Sequence, residues 1–516
     1  MSLFINRKKH TTKKPLEEYQ NKFIHFNCDY WKSAPKSKRK TFFLVEGLLG
    51  AMPTHLVRLG ISAKALEDKL DIKPMVILGS RNDNNVNMFQ SFGIDSFVYL
   101  DETTLSIHDY FYAIYKVMQF LLAPSVEKLL SLKYKNMNIG KLVYDDILHS
   151  TNDCYTLNKV EKKHIKLIWK AVLYIRKYNK IINKNEIQFV LLSHNEYIGY
   201  ATLAVASICN GKKVVTVNDV EVSQYSHSNE IFWHKRFQTN IKNILMKESH
   251  ELLAKKGENY LNDRIYGELG LFDVKSAFGD KHFYTLDEVK NNITKNSNKN
   301  VFIYMHVFSD APHLSEMNMY KDYYDWICDT VAAIKDIQNV NWFIKIHPSA
   351  YLYGETDKIK DMIQINNRKI YMVPDDFNSA SIKDVADAVV TCQGTVGIEA
   401  SCMGIPVIIT GKPFYGGFGF TLEPEDKREY HEMLRKCDQI KKLDNSKIKM
   451  AKAVLGAFHT FQYTDKTILD DYVYEFAGYG KKASYERAFE QIMRNMKNYT
   501  YDQLELYQKV FETIEI

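Results

Sequence analysis

Two short stretches in the second half of the chain combine residue types suited to holding a phosphate. The first is Lys345-Ile346-His347-Pro348-Ser349. An imidazole leaving the end of a buried strand can donate to a phosphate oxygen, Lys345 adds positive charge, and Pro348 ends the strand rigidly. The second is Thr391-Cys392-Gln393-Gly394-Thr395-Val396-Gly397-Ile398-Glu399-Ala400. Here an apolar run ends at Gly394, and a helix is predicted from about Thr395 to Gly404. Unpaired N–H groups in the first turn of such a helix, with a glycine allowing close approach, form an anion site. Thr395 offers a hydroxyl as helix cap or phosphate ligand. Glu399, one turn further on, is spaced to accept hydrogen bonds from ribose hydroxyls. Each loop alone also fits an ordinary strand-to-helix turn, so the reading rests on the two occurring together.

A group transfer to a hydroxyl needs a general base. Glu46, after the first strand of the first half, and Asp310, after the first strand of the second half, are the candidates. His194 and Glu196 are further options. No Asp-x-Asp motif follows a strand, and Asp375-Asp376 reads as a turn or helix cap, so neither a bound metal nor a cofactor is expected.

The elements that must position these residues are legible as alternating strands and helices. Short apolar runs closed by Gly, Asp or Asn fall at Thr41–Val45, Met75–Leu78, Ser96–Leu100, Phe189–Leu192 and Lys213–Val217. They suit a parallel sheet buried on both faces. A helix is predicted over Tyr200–Cys209, with Gly211 as its terminator. The second half repeats the pattern at Val301–Met305, Trp342–Ile346, Lys369–Val373, Ala388–Cys392 and Pro406–Thr410. Tyr323, Ile327, Val331 and Ile334 lie at helical spacing between the first two runs. Such β-α repeats imply a doubly wound sheet whose ligands bind beyond the strands' carboxyl ends. The polar run 291–300 is the expected domain boundary. The expected organisation is a basic arm over 1–40, an N-terminal Rossmann-like domain over 41–290 on the acceptor side, a donor-side Rossmann-like domain over 301–425, and a helical region over 426–516. In that last region, Tyr485, Phe489, Ile492, Met493 and Met496 form a stripe read as core packing.

The ordered set of His347-Pro348, Gln393-Gly394-Thr395 and Gly404-Ile405-Pro406-Val407 resembles the capsule polysaccharide biosynthesis glycosyltransferases, including bacterial Kdo transferases with His-Pro and Gln-Gly motifs. More distantly it is similar to polysialyltransferases and teichoic-acid glycerophosphotransferases. His306-Val307-Phe308-Ser309-Asp310-Ala311-Pro312-His313, Leu142-Val143-Tyr144-Asp145-Asp146, Ser193-His194-Asn195-Glu196-Tyr197 and the Gly-rich aromatic stretch Tyr415–Thr421, expected to be a flexible loop, support the match. The resemblance implies an α/β fold of the GT-B type, with two facing Rossmann-like domains, and a cytidine-nucleotide donor. By that resemblance His347, Gln393, Gly394 and Thr395 would hold the donor phosphates and Glu399 the ribose, with Lys345 adding charge unless strand alternation turns it to the other face. The function implied is transfer of a sugar from a CMP-linked donor to a glycan or lipid-linked acceptor, without a metal. Two enzyme alternatives are a glycerophosphotransferase-like polymerase and a nucleotide-sugar epimerase. A third, of another class, is a non-catalytic binding protein of capsule assembly.

Bulk properties bound these readings. At 516 residues the chain is too long for one core. Its 5 Trp, 34 Tyr and 28 Phe can fill large cores or line sugar sites. Of the net charge of +7, residues 1–40 alone carry +8 (11 Lys or Arg against 3 Asp or Glu), leaving −1 on the remainder. That distribution excludes a broad nucleic-acid-binding face. The arm with Arg7, Lys8, Lys9, Lys13 and Lys14 is suited to peripheral contact with an anionic membrane or a charged glycan, or is a solvated terminus. Seven scattered cysteines make no disulfide framework or CxxC pair. With no apolar run after the basic N-terminus, a cytoplasmic protein is expected, placed at the inner face of the plasma membrane.

Overall fold

The computed structural model describes residues 16–48, 52–122, 124–151, 154–218, 221–266, 278, 281–317, 319–363, 370–461, 465, 467–469 and 482–516. Two sheets organise it. The first half contributes β1 (Phe42–Glu46), β2 (Lys73–Leu78), β3 (Ser96–Tyr99), a small hairpin β4 (Lys133–Tyr134) and β5 (Met137–Asn138), then β6 (Phe189–Leu192), β7 (Lys213–Val217) and β8 (Val222–Tyr225). The second half contributes β9 (Lys299–Tyr304), β10 (Val340–Lys345), β11 (Ile370–Met372), β12 (Ala388–Thr391) and β13 (Val407–Ile409). The large sheets run β3-β2-β1-β6-β7-β8 and β11-β10-β9-β12-β13. Every pairing in them is parallel except the antiparallel edge β7–β8.

Alternation along the strands explains why both sheets are buried on two faces. In β1, Leu44 joins one core, whereas Phe43 and Val45 join the other. The first of these cores is covered by α4 (Ile107–Leu122), α5 (Val126–Leu130), α6 (Gly140–Ser150), α7 (Lys162–Lys184) and α8 (Thr202–Cys209). The second core is covered by α1 (Glu18–Tyr30), α2 (Pro53–Leu70) and α3 (Asn85–Ser91). Later in the chain come α9 (Trp233–Lys247), α10 (His250–Ile265), α11 (Tyr323–Ile334), α12 (Thr356–Ile363), α13 (Val396–Cys402), α14 (Lys427–Arg435), α15 (Asn445–Phe461), α16 (Lys482–Met496) and α17 (Glu505–Thr513). Phe302 and Phe343 of the second sheet pack towards α9, α10, α13 and α15, while Ile303 and Ile344 pack towards α11, α12 and α14. The fold class is therefore α/β, of the GT-B type, with two facing Rossmann-like domains and a helical C-terminal region.

The packing moves the expected domain limits. Residues 233–265, placed by sequence in the first domain, form α9 and α10 and belong to the core of the second. Backbone fit causes this: a Cβ on Gly257 of α10 would lie 2.0 Å from the Lys452 carbonyl, and one on Gly456 of α15 would lie 1.9 Å from the Leu253 carbonyl. Only glycines let the two helices approach so closely. The polar run at 291–300 is not the boundary, since it ends inside β9. The chain leaves the first sheet at Tyr225 and enters the second core by Phe237, with Arg236 of α9 in a buried ion pair with Glu221. At the far end, α16 and α17 return to the first domain, where Phe489, Ile492, Met496 and Val510 are fully buried. The stripe on α16 is core. The arm expected over 1–40 is also shorter than supposed, because α1 inserts Tyr19 and Phe23 into that same core. Arg7, Lys8, Lys9, Lys13 and Lys14 lie outside the described residues.

Candidate functional site

Both sheets change direction next to their first strand. Chain order runs outward from β1 to β3 and resumes on β1's other side at β6, and it does the same around β9 with β12. Ligands of doubly wound sheets bind beyond the carboxyl ends at such points. In the second sheet, Tyr304 and Thr391 are register partners across this junction. Thr391 Oγ1 donates to the Tyr304 carbonyl at 3.2 Å and accepts from the Gly394 N–H at 3.3 Å. The Gln393 N–H donates to His306 Nε2 at 3.2 Å. His306, in a tight stack on Tyr323 with ring centroids 4.2 Å apart, is thus the residue that joins the two strand ends. Burial, with His347 and His234 nearby, holds its pKa well below the usual imidazole value. It is neutral and serves as an acceptor.

The His347 and Gly394 loops come together beside this junction. His347 follows β10, and its Nδ1 accepts from the Ser349 N–H at 3.2 Å. In the neutral ring the proton therefore sits on Nε2, which is the donor a phosphate would need. Thr395 is the N-cap of α13 and is exposed, and its side chain makes no capping bond. Gly394 is required at close quarters, since a Cβ there would lie 2.9 Å from Thr391 Oγ1. Its carbonyl accepts from the Tyr415 hydroxyl at 2.5 Å. Tyr415 and Phe414 are buried, and Gln238 Nε2 donates to the Gly416 carbonyl at 2.8 Å. The expectation of a flexible Tyr415–Thr421 loop is corrected at its start, which is a buried aromatic brace beneath the phosphate loop.

Three of the expected donor residues already have protein partners. Lys345 is buried and donates to the Phe377 carbonyl at 3.2 Å, because strand alternation turns it to the face that carries Phe343. Burial pushes its pKa down to about 7, with Lys281 adding to the effect. Gln393 is braced by the Pro312 carbonyl at 3.1 Å and by the Tyr323 hydroxyl, while its Oε1 is buried without a hydrogen bond. Glu399 pairs with Arg264 of α10 at 3.0 Å, both largely buried. Beside that pair, the Tyr304 hydroxyl is buried with no hydrogen bond formed, Ser379 and Glu399 being its polar neighbours. Burial and the Glu399 charge raise its pKa, so it remains a neutral donor.

The two candidate bases differ in access. Glu46 is completely buried at the first sheet's junction. Its carboxylate accepts from the Leu48 N–H and from Ser193 Oγ, the latter at 3.0 Å. His194 Nδ1 lies 3.1 Å from the same hydroxyl, and the His55 ring meets His194 edge-on at 4.7 Å. The direct contact with an acceptor expected of Glu46 is therefore corrected, since the carboxylate is enclosed and accepts from the Leu48 N–H of its own loop and from Ser193 after β6. Glu196 accepts from the Asn195 N–H at 2.9 Å. Asp310, in contrast, lies between the domains, where its Oδ1 accepts from the Tyr197 hydroxyl at 3.1 Å. Both sides of this contact carry left-handed backbone at a non-glycine residue, Tyr197 with φ 58° and Ala311 with φ 41°. Such strain persists where the surroundings enforce it.

Several familiar-looking motif residues clasp the domains together. Asp145 of α6 accepts from His313 through the ring at 2.6 Å and through the backbone N–H at 3.2 Å. Tyr144 donates to Asp322. The sequence reading did not assign His306, Tyr304, Arg264 or Ser193. Strand-end position could have flagged His306, Tyr304 and Ser193, whereas Arg264 was hidden by the misplaced boundary. Among the described residues no group of three or more His, Cys, Asp or Glu is arranged to hold a metal ion.

Among solved structures, the chain is similar to the KpsC beta Kdo 2,4 transferase of Thermosulfurimonas dismutans, at 13% identity and TM-score 0.33 over 52% of this chain and 79% of that one. The KpsC beta Kdo 2,7 transferase of the same organism matches at 14% identity and TM-score 0.32, over 55% and 79%. The UDP-GlcNAc 2-epimerase of Neisseria meningitidis matches at 11% identity and TM-score 0.25, over 81% and 98%. Likenesses this low identify no function. No curated protein matches the chain. Residues 271–458, which hold the second sheet and both the His347 and Gly394 loops, match the family model described as capsule polysaccharide biosynthesis protein.

Proposed function

We propose that the protein is a glycosyltransferase of capsule or surface polysaccharide synthesis that binds its nucleotide-sugar donor at the junction of β9 and β12. The observation that carries this reading is the set of polar groups the fold leaves waiting there. The Tyr304 hydroxyl and Gln393 Oε1 are buried without hydrogen bonds, and the Thr395 hydroxyl does not cap its own helix. Buried polar groups are nearly always paired, so unpaired ones gathered at a sheet's binding end point to a ligand.

His347 Nε2, the Thr395 hydroxyl and the Val396 N–H at the start of α13 then face the leaving phosphate, whose charge grows as the glycosidic bond breaks. Donors fixed in advance stabilise that charge without reorganisation. The Arg264 pair orients the Glu399 carboxylate for contact with the ribose, with Tyr304 donating nearby. Asp310 is the base for the acceptor hydroxyl. Glu46 holds Ser193 and His194 in place on the opposite wall. A CMP-linked donor is supported by the likeness of the His347-Pro348 and Gln393-Gly394 loops to Kdo transferase motifs, and a lipid-linked or glycan acceptor at the cytoplasmic membrane face by the capsule family.

Incubating the protein with CMP-sugars and UDP-sugars, with and without lipid-linked glycan acceptors, tests the reading. Nucleotide release that depends on acceptor is expected. An altered sugar formed without acceptor would make the protein an epimerase, and absence of turnover with every donor would leave it a binding protein.

A further inference from the structure

We propose that the outer face of α4 is a docking surface for an anionic lipid bilayer. This helix is divided into two faces. Ala113, Val117 and Phe120 are buried in the first domain's core, whereas Ile107, Phe111, Tyr115, Met118, Leu121 and Leu122 are between 48 and 82% exposed. Spacing of three and four residues places these six along one stripe. Contiguous apolar faces of this kind are uncommon on soluble proteins and mark interaction sites. The helix carries few charges, and Asp109 is turned away into an ion pair with Arg176. Tyr110 stacks near Trp169 of α7 at 6.3 Å, adding amphipathic rings of the type that favour a headgroup layer.

Charge selects the occupant. At the C-terminal end of the stripe, Leu122 borders a cavity of about 410 Å³ lined by Lys116, Lys128, Lys133, Gln119 and Ser131, with no carboxylate among its lining residues. Lysines beside exposed apolar side chains match a bilayer with anionic headgroups, where the apolar stripe enters the acyl boundary and the cations meet phosphate. A second copy docked on the same face would bring two sets of lysines together, which costs affinity.

Sedimentation of the full-length protein with vesicles tests the surface, using phosphatidylcholine alone or mixed with phosphatidylglycerol. Binding to the mixed vesicles is expected, weakening as salt rises. Phe111→Asp with Leu121→Asp is expected to weaken it by about tenfold or more. Lys128→Glu with Lys133→Glu is expected to lose about fivefold or more for each lysine. All four side chains are outside the core, so thermal melts and nucleotide binding should be unchanged, which separates this test from that of the donor site. A variant with Lys8, Lys9, Lys13 and Lys14 all changed to Ala is expected to keep most of the binding. The proposal is overturned if the α4 variants bind like the parent or if only the arm variant loses binding. Equal binding to uncharged vesicles overturns it too, as does light scattering that shows the α4 variants converting a dimer to a monomer.

Discussion

The two sheet junctions share a topology and differ in chemistry. At β1 and β6, Glu46 is enclosed and engaged by the Leu48 N–H and Ser193, and His194 continues the chain of contacts. At β9 and β12, Tyr304 and Gln393 keep buried polar atoms without partners, and Thr395 leaves its hydroxyl uncommitted. The first junction is a finished wall, apart from His55 Nδ1, which is also unpaired. The second is a receptor whose desolvation cost is already in place and is recovered when a ligand supplies the missing hydrogen bonds. This difference supports the proposal that the donor binds at the second sheet and that the first sheet shapes the acceptor side.

Mutations can break the comparison. The largest effect is expected from Glu399→Ala, which leaves Arg264 buried without its partner and should cost about 3–5 kcal/mol in denaturant unfolding. Replacing both by Leu should recover much of that stability while nucleotide binding stays lost. Recovery of binding as well would show that the pair is only structural. Next, His347→Ala and Thr395→Ala should each lower turnover about 100- to 1,000-fold with the melting temperature retained, as for removal of a donor to developing charge. Ser193→Ala at the other junction should behave oppositely. It removes a hydrogen bond to a buried carboxylate, costing about 1.5–3 kcal/mol of stability, with nucleotide affinity unchanged in calorimetry.

The smallest effect is one of pH. Lys345 has a folded pKa of about 7 against an ordinary 10.5, because burial disfavours its charge. Between those values the unfolded chain holds the proton and the folded chain does not, so this group makes stability rise with pH across that window. Below about 7 both states are charged and its destabilisation is complete. Denaturant unfolding at pH 7 and at pH 9 measures that rise, and Lys345→Met should flatten it. An unchanged slope in that variant would assign the proton to another group.

Much of this organisation is legible in the sequence. Strands buried on both faces are short apolar runs, so β10 and β12 fell within two residues of expectation, and the loops that follow them were singled out by residue type. What stayed hidden depends on long-range packing. The periodicity of α9 and α10 shows that each buries a face but not which sheet receives it. The Gly257 and Gly456 contact that decides the matter joins residues almost 200 positions apart. Arg264 was missed for that reason. The enclosure of Glu46 was equally invisible, because a strand-end carboxylate reads the same whether it faces solvent or its own loop.

The most direct measurement is thermal unfolding with CMP, CDP, UDP and GDP, on the parent protein and on Thr395→Ala. A ligand that binds only the folded state should stabilise it by about 2.7 kcal/mol at a hundred times its Kd. CMP is expected to raise the parent's melting temperature most, with the shift much reduced in the variant. If no nucleotide shifts the parent, or if Thr395→Ala responds as strongly as the parent, the β9–β12 junction is not the donor site.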